Sequence, residues 1–374
     1  MIRNIITIAV RILVRNKIFS LINLLGITIG LSCSLLIFDV VRHELSYDRF
    51  HAKRDQLFVL QQQLDLGTGP YRTDRCGAAC GPALKDAFPE ITDYIRFSDP
   101  IELLMIYEQP DSAGISRRKK FIETSVLPVD SNFLVHFSFP VLRGNAGTAL
   151  EDQGSMAMTE ENARKYFGDD DPIGKVLTVN SRYEFTVTAV VEDPPANSSV
   201  KFDFLIPFHF LEKLGRDLTG YSGNPYFTFL CLDEPGVANE LGPKISEFLD
   251  DYQDAALPAE QTLIRLTDFH LKGEQRGNIF TILLTILGIV ILAIACINFM
   301  NLTTARYLSR TREVGVRKVT GGRRSQLISQ FIGETMTLVF IALILSVLIV
   351  DAVIPFFNQT FETDIEFRLA DPVK

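Results

Sequence analysis

Three long apolar segments constrain the fold of this chain more than any other feature of its sequence. They cover residues 18–41, 279–300 and 331–354. Each reaches the roughly 20 apolar residues that an α-helix needs to cross a bilayer. Backbone amides in a bilayer must be hydrogen bonded within their own segment, so each segment is predicted to be a transmembrane helix. The overall content of 47% apolar residues would also suit a soluble protein, because the average hides this uneven distribution.

The distribution of charge predicts how the three spans are oriented. Residues 1–17 carry four basic residues and no acid, and residues 303–330 carry seven basic residues and one acid. The long segment 42–278, in contrast, carries 24 Lys and Arg against 37 Asp and Glu. Basic loops stay on the cytoplasmic side of a membrane. We therefore predict that the N-terminus and the basic loop 301–330 are cytoplasmic, and that 42–278 and the tail 355–374 are external.

The N-terminal region combines two predicted elements. Residues 1–17 have apolar residues at helical spacing between basic ones, which predicts an amphipathic helix on the inner membrane surface; a plain charged flank is the alternative. The apolar run 18–41 is longer than the core of a signal peptide and no A-x-A-like site follows it, so it is predicted to be a retained anchor. Within this span Gly26 and Gly30 lie on one helix face, where another helix can approach closely.

The external segment 42–278 is predicted to be an α+β domain inserted between transmembrane α-helices. Alternating residues 175–179 and 183–191, separated by Asn180, Ser181 and Arg182, predict a β-hairpin. Strands mixed with short helices over this length are typical of α+β folds, here with up to two subdomains. Further strands are predicted at 94–107, 120–127, 201–206 and 261–266, and helices at 77–88, 133–137, 160–167 and 238–251.

Cysteine and histidine positions leave some alternatives open. Cys76 and Cys80 lie in the external segment, where a disulfide could close a small loop; unpaired thiols are the alternative, and Cys231 makes the number odd. The five histidines have no H-E-x-x-H spacing, so no metal site is predicted. His43 and His51 are predicted to be surface histidines.

Motifs for nucleotide binding and catalysis are incomplete in this sequence. Residues 168–176, GDDDPIGKV, resemble a phosphate loop, but one residue too many separates the glycines and Val176 stands where Ser or Thr binds Mg²⁺. A predicted strand follows this loop, so the helix N-terminus of a phosphate site is missing. The sequence has no G-x-S-x-G nucleophile elbow. We therefore predict no cofactor, no ATPase and no other enzyme activity, and a membrane-anchored hydrolase has no catalytic constellation to support it.

Three stretches, in the same order along the chain, resemble the MacB/FtsX-type family of ABC-transporter permeases. RILVRNKIFSLINLLGITIGLSCSLLI is similar to the first helix of that family. YFGDDDPIGKVLTV and PPANSSVKFDFLIPF are similar to the hairpin and closing strand of its MacB-like periplasmic core domain. CINFMNLTTARYLSRTREVGVRKVTGGRRSQLISQFIGETM is similar to the FtsX-like permease signature. The long-chain form that is frequent in Bacteroidetes-like bacteria is the nearest match to this arrangement.

The resemblance implies a permease subunit that works by mechanotransmission. A separate cytoplasmic ABC ATPase would hydrolyse ATP, and the permease would transmit the movement to the periplasmic domain for efflux or export. The loop 301–330 would contain the coupling helix, with the family pattern E-x-G-x-R-K-x-x-G. The coupling residues that the resemblance implies are Arg312, Glu313, Gly315, Arg317, Lys318, Gly321 and Arg323.

The resemblance also implies partners and a location. The partners are the ATPase subunit, a second permease copy or half, and membrane lipid; nucleic acid is not expected, since a basic loop between two spans favours topology and lipid contact. The location is the bacterial inner membrane. Family units have four spans, so this chain is either a fragment of a longer permease or a gene truncated after its third span. A non-transporting sensor or adaptor with a ligand-binding ectodomain is the alternative function, since it would use the same topology.

Overall fold

The computed structural model describes residues 17–65, 70–109, 117–221, 223, 225–252, 259–273, 279–309, 316, 319, 324–361 and 365. The chain divides into two compact units. We call Met1–Leu45 together with Asn278–Lys374 the helical unit, and Ser46–Gly277 the sheet unit. The predicted N-terminal amphipathic helix lies almost wholly outside the described residues.

The helices of the chain are as follows, in chain order. They are α1 (Lys17–Glu44), α2 (Cys80–Ala87), α3 (Phe133–His136), α4 (Glu160–Phe167), α5 (Phe210–Lys213), α6 (Ala238–Asp250), α7 (Leu266–Lys272), α8 (Ile279–Ser309) and α9 (Arg324–Phe361). Of these helices, α1, α8 and α9 belong to the helical unit. Each of these three contains a stretch long and apolar enough to cross a membrane: Ser20–Glu44, Ile279–Ala305 and Phe331–Thr360.

Helix ends in the helical unit extend beyond the apolar segments that the sequence marks. Helix α9 continues to Phe361 although Pro355 lies inside it, so residues 355–361, which we assigned to the tail, are helical. Proline is tolerated in transmembrane helices because neighbouring groups satisfy the backbone carbonyl that it leaves free. Helix α1 likewise ends at Glu44 rather than at residue 41.

Helix α1 contacts both other helices of its unit. Ile27 packs with Leu338 and Ala342 of α9. Ser346 of α9 is fully buried, and its hydroxyl donates a hydrogen bond of 3.0 Å to the carbonyl oxygen of Thr28. Lipid is as apolar as these side chains, so close packing and interhelical hydrogen bonds, rather than burial from water, hold such helices together.

The sheet unit is built on one mixed β-sheet. Its strands are β1 (Leu57–Asp65), β2 (Pro70–Thr73), β3 (Arg75–Cys76), β4 (Ile91–Ser98), β5 (Ile101–Gln109), β6 (Arg117–Val129), β7 (Val141–Arg143), β8 (Ser155–Thr159), β9 (Val176–Val179), β10 (Tyr183–Val191), β11 (Phe204–Pro207), β12 (Tyr226–Leu232) and β13 (Ala259–Arg265). The order is β11-β8-β10-β9-β5-β6-β4-β12-β1-β13. Strands β2, β3 and β7 pair beside β1, β12 and β10, and β11 also pairs with β6 in parallel.

Apolar side chains cover both faces of the sheet at strand β1. Leu57 and Val59 of β1 belong to a cluster rich in phenylalanine, while Phe58 and Leu60 belong to a second cluster with α2 and α6. Stacked and edge-on aromatic pairs, each worth about 0.5–1.5 kcal/mol beyond burial, fill the first cluster. The continuous apolar run of β1 reflects burial on both faces.

Local turn chemistry confirms one sequence prediction and corrects another. Strands β9 and β10 form the predicted antiparallel hairpin, and Asn180 and Ser181 have φ of +51° and +56°, as a type I′ turn requires. The strand predicted at 94–107 is wrong in its extent. It is divided into β4 and β5 at Asp99 and Pro100, because proline has no amide hydrogen to continue a ladder.

Candidate functional site

The predicted coupling residues lie outside the residues that the structure describes. This holds for Arg312, Glu313, Gly315, Arg317, Lys318, Gly321 and Arg323. Two of their neighbours, Val316 and Val319, are described, and both are helical. Their side chains are 59% and 88% exposed.

Gly26 and Gly30 lie where α1 contacts α8 of the same chain. A Cβ atom on Gly30 would overlap the Cβ of Ala295, and one on Gly26 would lie 3.3 Å from Nδ2 of Asn298. Gly288 of α8 repeats this arrangement from the other side, since a Cβ there would lie 3.0 Å from Ile37. Small residues let the two backbones approach closely, so the helices are paired at this face.

Cys76 and Cys80 are free thiols in the structure, and both are fully buried. Of the two alternatives that the sequence left open, the structure has the unpaired one. The Cys76 thiol donates a hydrogen bond to Oγ1 of Thr228 at 3.1 Å. The hydrogen bond with Cys76, followed by burial, raises the pKa of Cys80 far above its usual range. The Cys80 thiol therefore stays protonated and is a packing residue rather than a nucleophile.

Cys231, His136 and Asp93 form a cluster that the sequence did not predict. The Cys231 sulfur lies 3.3 Å from Nδ1 of His136, and Nε2 of His136 lies 2.8 Å from the Asp93 carboxylate. The Cys–His–Asp arrangement resembles that of a cysteine hydrolase, but the pKa shifts are opposite to those that activate a thiol. Burial raises the pKa of Cys231 to about 12 and lowers the pKa of His136. The thiol therefore stays protonated, and the cluster serves to join β12, α3 and β4.

The first residues of the sheet unit, which we call the entry segment (46–51), are bonded to a distant loop. The Asp48 amide donates to the carbonyl oxygen of Asn197 at 2.9 Å, and the Ser199 amide donates to Oδ1 of Asp48 at 2.8 Å. The Asn197 side chain donates to the carbonyl oxygen of Ser46 at 3.1 Å. Asp48 has φ of +56°, a conformation that Asp tolerates better than most residues. These bonds connect the start of the unit to residues 195–199.

Two titratable residues of the entry segment are buried. His51 is 1% exposed and Asp48 is 0% exposed, so the prediction that His51 is a surface histidine is wrong. Phe50, Phe137 and Phe139 surround the His51 ring, whose Nδ1 accepts a hydrogen bond from an amide. Burial lowers the pKa of His51 to about 4 and raises the pKa of Asp48 to about 6. The ionic groups that act on Asp48 are His270 and Lys201.

The opposite pKa shifts of Asp48 and His51 should make the free energy of unfolding nearly independent of pH. Replacing Asp48 should therefore reveal the pH dependence that His51 contributes. Asp48 stabilises the folded state most below pH 3.8, and this contribution is lost as the pH rises through about 6. His51 stabilises it above pH 6.5, and this contribution is lost as the pH falls through about 4. Each shift is worth about 3 kcal/mol. Asp48→Asn should therefore lose about that much stability between pH 7 and pH 4 in the free energy of unfolding.

The reciprocal variant provides the control. His51→Asn keeps an acceptor near the position of Nδ1 and should become more stable over the same decrease in pH. Denaturant unfolding of the full chain in detergent, followed by the β-sheet circular dichroism signal at several pH values, measures both variants. Parallel stability curves for the wild type and Asp48→Asn would contradict the assignment.

An open cleft of about 380 Å³ lies beside the entry segment. Phe97, Phe227 and Phe269 provide its aromatic lining, and Tyr47 and His270 line another part. Its polar lining residues are Asp74, Ser98, Asp99, Ser198, Ser199 and Lys201. An aromatic surface with a few polar groups is the usual composition of a small-molecule site, and the charges of both signs here do not select a class of ligand.

The fold and these sites together define a class of protein. Three membrane-length helices, with an α+β domain inserted after the first, are the architecture of a membrane protein with a large domain between two of its spans. Residues 20–241 match the model of the MacB-like periplasmic core domain, and residues 285–373 match that of the FtsX-like permease C-terminal domain. The chain belongs to this MacB/FtsX-type family of ABC-transporter permeases.

Several known proteins are similar to this chain. The pyoverdine export ATP-binding/permease protein PvdT of Pseudomonas savastanoi is 27% identical over 218 residues, which are 56% of this chain and 32% of PvdT. An uncharacterized ABC transporter permease of Bacillus subtilis, YvrN, is 22% identical over 89% of this chain and 82% of its own length. A domain of a putative permease protein from Porphyromonas gingivalis is 22% identical, covering 57% of this chain and 92% of that domain, with a TM-score of 0.47. The chain thus spans about a third of the length of PvdT.

Proposed function

We propose that this chain is the permease subunit of an ABC transporter that couples ATP hydrolysis by a separate cytoplasmic ATPase to movement of its periplasmic domain. The observation that supports this most is the match of two permease family models, in order, to α1 with most of the sheet unit and to the last two long helices. PvdT is named as an ATP-binding/permease protein and YvrN as an ABC transporter permease, and the phosphate-loop-like residues of this chain lack the spacing for ATP. In this proposal the ATPase is a separate chain, as the family resemblance implies, and the transport is efflux or export.

The coupling element is the basic loop between α8 and α9. Gly315 and Gly321 allow close docking, while Arg317 and Lys318 pair with acidic residues of the ATPase through charge-assisted hydrogen bonds. The exposed Val316 and Val319 support an apolar contact at the same surface. Arg312, Glu313 and Arg323 complete the docking surface.

The proposed location is the bacterial inner membrane, with the N-terminus in the cytoplasm. The basic residues of 1–17 and 303–330 support this orientation. The sheet unit is then periplasmic, and its movement requires no channel for substrate between the helices. The proposed partners in the membrane are a second permease copy or half, as the family resemblance implies, and the surrounding lipid.

Arg317→Glu is expected to abolish binding of the ATPase. The reversal replaces a charge-assisted pair, worth about 1.5–3 kcal/mol, with repulsion, so recovery of the ATPase should fall at least about tenfold. The measurement is a pull-down of the tagged chain from solubilised membranes, with the ATPase identified by mass spectrometry.

Arg306→Glu is the matched control, because it makes the same charge change outside the family pattern. It should retain the ATPase. If Arg317→Glu also retains the ATPase, or if both variants lose it, the coupling surface is wrong. If the wild type brings down no ABC ATPase, the permease function itself is contradicted, and a sensor or adaptor becomes the better account.

A further inference from the structure

The start and the end of the sheet unit contact each other through two rings. Tyr47 belongs to the entry segment that follows α1, and His270 belongs to α7, from which the chain continues to α8. The Tyr47 and His270 rings are stacked with centroids 3.3 Å apart and an angle of 8° between their planes. The two residues are 223 positions apart in the sequence, so this contact joins two otherwise distant chain segments.

The entry segment is also hydrogen bonded to other parts of the sheet unit. Asp48, next to Tyr47, exchanges hydrogen bonds with the loop at Asn197 and Ser199. His270 and Lys201 also act on the Asp48 carboxylate through their charges. Ser138 adds two further bonds, since its amide donates to Nδ1 of His51 and its hydroxyl accepts from the amide of Ala52. The entry segment is therefore bonded to α7, to the 195–199 loop and to the turn after α3.

We propose that Tyr47, Asp48, Asn197, Ser199 and His270 form a junction clasp that makes the start and the end of the sheet unit one mechanical body. Within the helical unit, α1 and α8 are already paired at Gly30 and Ala295. The clasp also pairs the entry segment, which follows α1, with α7, which precedes α8 in the chain. Displacement of the entry segment then displaces α7 and the 195–199 loop, rather than bending a free linker. The consequence for transport rests on the proposed function, but the clasp itself does not.

Hydrogen–deuterium exchange of the full chain in detergent or nanodiscs tests this coupling. Tyr47→Ala removes the stacked ring, and a closed clasp requires that amide exchange rises in α7 and at residues 195–199 as well as in the entry segment. An aromatic pair of this kind corresponds to about three- to tenfold faster exchange through local opening. Tyr47→Phe keeps the ring and should exchange like the wild type.

Tyr252→Ala is the matched control for losing a stacked ring. Tyr252 stacks on Tyr221 with centroids 4.7 Å apart, neither residue belongs to the clasp, and the loss of this ring should leave the clasp segments unchanged. His270→Ala removes the other ring of the stacked pair and should raise exchange in the entry segment and at residues 195–199. If Tyr47→Ala fails to fold, His270→Ala still tests the clasp.

The clasp is overturned if each variant raises exchange only in its own segment. Because this measurement needs no ATPase, it separates the two proposals. A failed pull-down with normal propagation of exchange contradicts the proposed function alone, and a successful pull-down without propagation contradicts the clasp alone.

Discussion

Gly30→Leu is expected to separate α1 from α8 and to destabilise the helical unit by about 1–3 kcal/mol, the usual cost of overpacking a close contact. Even a single Cβ on Gly30 would overlap the Cβ of Ala295, so a leucine side chain has no space between the two backbones. Lipid provides no compensating gain, because apolar side chains are equally well solvated there. Unfolding of the purified chain by titration with a denaturing detergent measures the loss.

Two further variants make this test specific to the contact. Gly30→Ala should be destabilised less than Gly30→Leu, and the double variant Gly30→Ala, Ala295→Gly should recover wild-type stability because it moves the methyl group from one helix to the other. Ile29→Leu, at a position 59% exposed on the adjacent face, should have no effect. Wild-type stability of Gly30→Leu, or no rescue by Ala295→Gly, would contradict the pairing of α1 with α8.

Arg96→Met is expected to destabilise the sheet unit by about 3 kcal/mol, because it leaves the largely buried Asp130 carboxylate without its cation. Nε and Nη2 of Arg96 donate to Asp130 at 2.9 and 2.8 Å, and Nη1 donates to the carbonyl oxygen of Ala78 at 2.7 Å. The two side chains are 7% and 13% exposed. Thermal unfolding of the full chain, followed by the circular dichroism of the sheet, should show a large decrease in Tm.

Arg118→Met is the matched control for loss of an arginine. Arg118 also bonds an acid, Glu108, but the two side chains are 63% and 51% exposed. An exposed pair contributes only about 0–1 kcal/mol, so this variant should remain close to the wild type. Equal losses from Arg96→Met and Arg118→Met would show that burial of the Arg96 pair has no special effect on stability.

The parts of the fold that the sequence predicts are those with local physical signals. Bilayer thickness fixes the length of a span, so the three transmembrane segments stand out. Helix α4 has its predicted bounds, 160–167, because Gly168 follows it with φ of +64°, which few other residues adopt. The β9–β10 hairpin follows from its turn residues in the same way.

Elements without a local signal were missed or misjudged. Strands β8 and β12 are almost wholly buried, and a short buried strand has no alternation by which to recognise it. Asp93, His136 and Cys231 come from three separate segments, and only the fold brings them together. His51 follows Asp48 and Arg49 in the sequence, which suggested a polar surface, whereas three phenylalanine rings cover it.

The coupling residues depend on the resemblance alone. A basic loop predicts which side of the membrane it occupies, but charge and glycine content do not by themselves select Arg317 over Arg306. The family pattern makes that selection. These residues remain a prediction, and the matched pair of charge reversals is designed to test it.

The most direct test of mechanotransmission measures whether ATP bound by the ATPase changes the amide exchange of the sheet unit. The chain and the ATPase recovered with it would be placed together in nanodiscs, and hydrogen–deuterium exchange of the sheet unit would be compared with and without ATP. Mechanotransmission requires that ATP changes exchange in the entry segment and α7 of the wild type, and that Arg317→Glu removes this change. Identical exchange with and without ATP in an intact complex would contradict mechanotransmission by this chain.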